Sequence, residues 1–141
     1  MSDPFRLQRF VEAQDPVYAQ VRAELRAGRK RSHWMWFVFP QIRGLGHSPM
    51  AQRFAISSRA EASAYLAHPV LGARLRECTG LVLAIENGDI RAIFGHPDDL
   101  KFHSSMTLFS EVGEGETIFP RALARYFDGP DRATLERLEA G

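Results

Sequence analysis

The sequence predicts an all-α fold, a compact multi-helix bundle spanning residues 1–141 as one domain, with a short strand at 34–39 as the one alternative. Three observations predict that class. Apolar residues recur every three or four positions in successive segments, the period of a helix with one buried face. Helix-start signals recur as well, at Asp15-Pro16, Ser48-Pro49 and Ser58-Arg59-Ala60-Glu61. Glycines and prolines at Gly28, Pro40, His68-Pro69, Gly95 and Gly129-Pro130 cut the chain into pieces of helical length.

Taken in order, Pro4 to Gln14 carries Phe5, Leu7, Phe10 and Val11 at roughly helical spacing. Asp15 reads as an N-cap with proline behind it, and Val17, Val21 and Leu25 then form one apolar stripe that Gly28 ends. Ser32 is placed to cap a short helix through Val38, although an apolar run this short is equally long enough for a strand. Residues 41–47 contain Gly44 and Gly46 and read as a loop. Ser48-Pro49 opens a helix to about Ile56, and Ser58 opens another with Ala62, Tyr65 and Leu66 inside. The stretch from Pro69 to about Glu86 is the clearest helix, because Val70, Leu71, Leu75, Cys78, Leu81, Val82 and Ile85 fill one arc. Asn87-Gly88 is a turn, and Asp89 caps a short helix through Phe94. Pro97-Asp98-Asp99 starts a helix to about Val112. Residues 113–116 form a loop, a helix covers Thr117 to Phe127, and a last one begins at Asp131. That makes seven to nine helices.

Function concentrates in Lys30 to Gln41. Two cations, a hydroxyl and an imidazole (Lys30, Arg31, Ser32, His33) run into the unbroken apolar segment Trp34 to Phe39, which holds both tryptophans of the chain. Such a segment must be buried or line a pocket, since exposed apolar area costs roughly 25 cal/mol per Å². A cationic lip on an aromatic wall suits a ligand with a phosphate and a flat ring. A core segment behind a solvated basic turn is the structural alternative. In the helix after Pro97, Lys101 and Ser105 fall within the apolar arc of Phe102, Met106, Leu108, Phe109 and Val112, with Asp98 at its N-terminal end. Either Asp98 pairs with Lys101, or Lys101, Ser105 and free N–H groups at the helix start face a phosphate.

Other chemistries find little support. The formal net charge of +1 gives no reason for broad nucleic-acid binding or attraction to an anionic membrane. One cysteine, Cys78, excludes an intramolecular disulfide, and its place in an apolar arc makes it a small buried hydrophobe. The five histidines lack the spacing of a helical zinc site, so no metal is expected. No nucleotide-binding glycine loop or serine nucleophile elbow is present, and no cofactor is called for. No apolar run is long enough to span a bilayer. Met1-Ser2-Asp3-Pro4 does not read as a secretory signal, so the expected location is cytoplasmic.

The chain also resembles a known family. Ser32-His33-Trp34-Met35-Trp36-Phe37-Val38-Phe39-Pro40-Gln41, Gly44-Leu45-Gly46, His68-Pro69-Val70-Leu71-Gly72, Ile93-Phe94-Gly95, Asp98-Asp99-Leu100-Lys101 and Ser104-Ser105-Met106-Thr107-Leu108-Phe109 look like signatures of the domain-of-unknown-function 1810 family. Its members are small, mostly bacterial helical proteins, some labelled calpastatin. The resemblance implies an all-α fold and brings no established activity. A more distant likeness links Pro69, Leu71, Leu75, Thr79-Gly80, Glu86 and Phe94-Gly95 to the NADAR proteins, helical proteins tied to NAD and ADP-ribose chemistry, some of which cleave N-glycosidic bonds. Phe94 stands where those proteins have tryptophan, and the acidic residue before it is displaced to Asp89. The expected site follows. Lys30, Arg31 and Lys101, with Ser32, His33, Gln41 and Ser105, hold the phosphates of a small ligand. Trp34 or Trp36 stacks on its ring, and Glu86 or Asp98 is the catalytic carboxylate at a glycosidic carbon. The alternative is a non-enzymatic module that binds a peptide or partner helix.

Overall fold

The helix that begins behind Pro97 forms the centre of the molecule. In a computed structural model describing residues 2–86 and 88–140, it is the longest element, α8 (Asp98–Val112). Phe102 and every residue from Ser104 to Phe109 are buried, so this helix is covered nearly all round. Its neighbours are α5 (Arg59–Ala67), α7 (Ile90–Phe94), α9 (Ile118–Tyr126) and α10 (Arg132–Ala140). On the other side of α5 and α9 lies α6 (Leu71–Leu83), which also packs on α2 (Tyr18–Arg26). The shorter α1 (Gln8–Gln14) lies against α3 (Met35–Val38), and α4 (Pro49–Arg53) completes ten helices among the described residues, more than the seven to nine expected. The fold is all-α. No strand occurs among the described residues, where a single parallel bridge joins Ile42 to Ile56.

Residues 34–39 are helical rather than extended. Val38 N–H donates to the Trp34 carbonyl (3.2 Å) and Phe39 N–H to that of Met35 (3.1 Å), so the backbone is satisfied locally. The side chains of Trp34, Met35, Phe37, Val38 and Phe39 are all buried. Three buried hydroxyls are satisfied within their own helix: Thr79 bonds the Leu75 carbonyl, Ser104 that of Leu100 and Thr107 that of His103.

Caps form at Ser48, Ser58 and Asp89, whose side chains accept from the N–H groups of Ala51, Glu61 and Ala92. Three expectations need correction. Asp15 closes α1 instead of opening α2: its backbone is helical and its N–H donates to the Val11 carbonyl, while its carboxylate pairs with Arg74 (2.9 Å). Ser32 caps nothing, since its hydroxyl donates to Glu24. The Pro69–Glu86 helix is shorter at both ends, with His68 Nδ1 accepting from Val70 and Leu71 N–H at its start. Gly72 there admits no side chain, because a Cβ would sit 2.1 Å from the Leu66 carbonyl oxygen. The expected turn at Asn87-Gly88 and the reading of the N-terminus involve Asn87 and Met1, which lie outside the described residues.

Candidate functional site

The site begins with a carboxylate that the sequence reading passed over. Glu24 lies on the inner side of α2 and is only 7% exposed. Five donors reach it: the N–H groups of Arg31 (2.7 Å) and Ser32 (3.0 Å), the Ser32 hydroxyl (2.6 Å), the Trp34 indole N–H (2.9 Å) and the Gln20 amide (3.0 Å). Burial pushes its pKa up. The bonds from Ser32, Arg31 and Trp34 outweigh that and bring it from the ordinary 4.5 to about 2. Glu24 thereby shapes the whole turn 31–34. A signal for it was present: on a helical wheel Glu24 falls about 20° from Val17, at the edge of the apolar stripe.

Trp34, so held, is 1% exposed and packs beside Phe39, leaving no ring face for a ligand. Stacking by Trp34 is thereby replaced by a structural role. Arg31 and His33 are exposed, while the groups of Ser32 are spent on Glu24 and Gln20. Lys30 does not point to bulk water. Its side chain is 8% exposed, its ammonium is 2.8 Å from Asp98 Oδ2, and it lies 5.2 Å above the Trp34 ring.

The second tryptophan behaves differently. Trp36 is half-buried and shares a narrow slit with Lys101, Gln41, Met35, Phe39 and Gly44. The Lys101 ammonium is 5.1 Å from the Trp36 ring centre and 3.4 Å from Asp98 Oδ1. A chain of contacts therefore runs Trp34, Lys30, Asp98, Lys101, Trp36. Two ammoniums share one carboxylate, leaving one positive charge in excess at the slit. The slit is tight, about 10 Å³, which is room for a single water.

Two expected features are absent there. The N–H groups of Asp99, Leu100 and Lys101 are bonded to the carbonyls of Gly95 and Pro97, so they are not free to bind a phosphate. Ser105 is fully buried with no partner for its hydroxyl among the described residues, and it does not line the slit. Of the two carboxylates expected to be catalytic, Asp98 is held between lysines, while Glu86 is exposed beside a different hollow with Leu25, Arg26 and Gly28. The structure does not bring them together. Among the described residues no cluster of His, Cys, Asp and Glu is placed to hold a metal. Cys78 is fully buried, and burial pushes its thiol up to about 12, so it is no nucleophile at neutral pH.

The fold and slit define a class: an all-helical domain in which a tryptophan-rich turn is locked to the start of the central helix by a shared carboxylate. The chain belongs to the family described as "Protein of unknown function (DUF1810)", whose model matches residues 4–138. It is similar to the crystal structure of the conserved hypothetical protein Rv1873 from Mycobacterium tuberculosis, with 59% identity and a TM-score of 0.96 over 97% of this chain and 99% of that one. No curated protein matches it. No helix among the described residues is long and apolar enough to cross a membrane.

Proposed function

We propose that the chain binds a small anionic ligand of nucleotide or ADP-ribose type at the Trp36–Lys101 slit. The observation that carries this reading is the convergence of an aromatic ring, an amide (Gln41) and a lysine with surplus charge on one opening. Because the slit admits only an atom-sized group, the ligand's ring lies across the mouth against Trp36 and its anionic group meets Lys101. The distant likeness to the NADAR proteins supports the ligand class. Hydrolysis of an N-glycosidic bond finds less support, since Asp98 is engaged by two ammoniums and Glu86 borders another hollow.

One observation favours a second reading. An interior of this size accepts the tip of a single side chain more readily than a ribose, as a peptide-binding module would require. A thermal-shift series with ADP-ribose, AMP and NAD separates the two. A ligand at 100 times its Kd adds about 2.7 kcal/mol, roughly 8 °C in Tm for a chain of this size. Trp36→Ala and Lys101→Met abolish that shift on the first reading. No shift of the wild type with any nucleotide removes it.

A further inference from the structure

Next to the slit, two hollows meet at Arg43 and Ser57. One, of about 250 Å³, is lined by Arg6, Arg9, Arg43 and Arg53. The other, of about 450 Å³, is lined by Arg43, Arg59 and Arg137. Among the described lining residues of both, Glu61 is the one acid. Its charge is already used: Oε2 is 3.0 Å from Arg9, and Oε1 accepts from the N–H (2.8 Å) and hydroxyl (2.7 Å) of Ser57.

The arginines divide into a strut and a set of free forks. Arg9 spends its donors on the carbonyls of Phe5, Arg6, Arg53 and Ala55 and on Glu61, so it holds the wall together. Arg6, Arg43, Arg53 and Arg137 are exposed and have no carboxylate within 4.0 Å among the described residues. Arg59 reaches Glu111 only at 3.8 Å. In a chain of net charge +1, so many uncompensated guanidiniums around two joined hollows are a local arrangement. Their summed positive charge favours an anion in the joined hollows.

The backbone adds a second, independent sign. Arg6 has φ +53°, the one non-glycine residue with positive φ among those described. Strain of this kind concentrates at ligand clamps and switch regions. It is held by the Arg6 N–H bond to the Asp3 carbonyl (3.0 Å), while the Asp3 carboxylate accepts from the N–H groups of Leu7 and Gln8.

We propose that the joined hollows bind a small oligophosphate, a ligand with two or more linked phosphate groups, through Arg43 at the centre and Arg6, Arg53 and Arg137 around it. Guanidinium forks match phosphate oxygens two at a time. The walls are concave and carry a single aromatic residue, Phe5, where the stacking of successive bases of a nucleic acid takes a series of rings. The hollows share the apolar wall residues Ile42 and Ala55 with the Trp36–Lys101 slit, but none of these arginines lines the slit, and the proposal does not depend on the slit's ligand.

The test is calorimetric titration of the full chain with inorganic tripolyphosphate at about 50 mM salt, with weakening expected as salt rises. Arg43→Gln, and separately the double variant Arg6→Gln/Arg53→Gln, each weaken binding about tenfold or more. Arg91→Gln, on the exposed side of α7, leaves it unchanged. Urea melts establish that each variant folds, and the surface double variant carries the test if Arg43→Gln does not. Three results overturn the proposal: no binding by the wild type, an equal loss with Arg91→Gln, or orthophosphate binding as tightly as tripolyphosphate. Preference for a single-stranded oligonucleotide over tripolyphosphate overturns it too, and makes the patch a nucleic-acid surface.

Discussion

Trp34 and Trp36 are two residues apart in the chain, yet their surroundings have opposite character. Trp34 sits in a closed pocket where each polar group has a partner: its indole N–H, two backbone N–H groups and the Ser32 hydroxyl all end on Glu24. Trp36 lines an open slit beside an ammonium that shares its counter-ion with a second lysine. A fully satisfied buried network specifies a conformation and leaves nothing over for a ligand. A half-buried ring next to incompletely neutralised charge adds less to stability and keeps its recognition capacity. The turn around Glu24 is scaffold, and the slit it presents is the candidate site.

Substitutions on the two sides test that division. Trp34→Ala removes a fully buried aromatic and lowers stability by about 4 kcal/mol in urea melts. Glu24→Ala strands several buried donors and costs about 3 kcal/mol by the same measurement. Glu24 also sets a pH dependence. Its folded pKa of about 2 lies below the ordinary 4.5, so its contribution is complete above pH 4.5 and is lost as pH falls toward 2. Glu24→Gln therefore shows a shallower loss of stability than the wild type between those limits, and a parallel acid limb would contradict this role. Asp98→Ala leaves the Lys30 ammonium without its partner and lowers stability by about 2 kcal/mol, reduced from the value for a fully buried pair because Asp98 is partly exposed. Trp36→Ala costs under about 1 kcal/mol, since the ring is half-buried. If Trp36→Ala destabilises as much as Trp34→Ala, the distinction between scaffold and site collapses.

Most of the helices were legible because their signals are local. Ser58 and Ser48 cap their helices as read, and the stripe from Leu71 to Val82 forms within shorter bounds, although the Glu61 carboxylate accepts from Ser57 rather than closing a box on Ser58. Asp15 departs from its expected role because the first helix runs on through its backbone, which leaves its carboxylate to pair with the distant Arg74. At the candidate site, the meeting of the tryptophan-rich segment with Lys101 was legible from an inward lysine that needed a polar neighbour. That Trp36 rather than Trp34 lines the slit was not, because both positions are aromatic and only the Glu24 bond distinguishes them.

By itself, the sequence determined the all-helical class, most helix boundaries and that the Trp34–Phe39 run is buried or lines a pocket, since periodicity, caps and apolar area are properties of short stretches. Tertiary structure alone decided which charges meet. Lys30 with Asp98 and Arg9 with Glu61 are joined across long intervals of chain, where Coulomb forces act through space and leave no periodic trace in the order of residues.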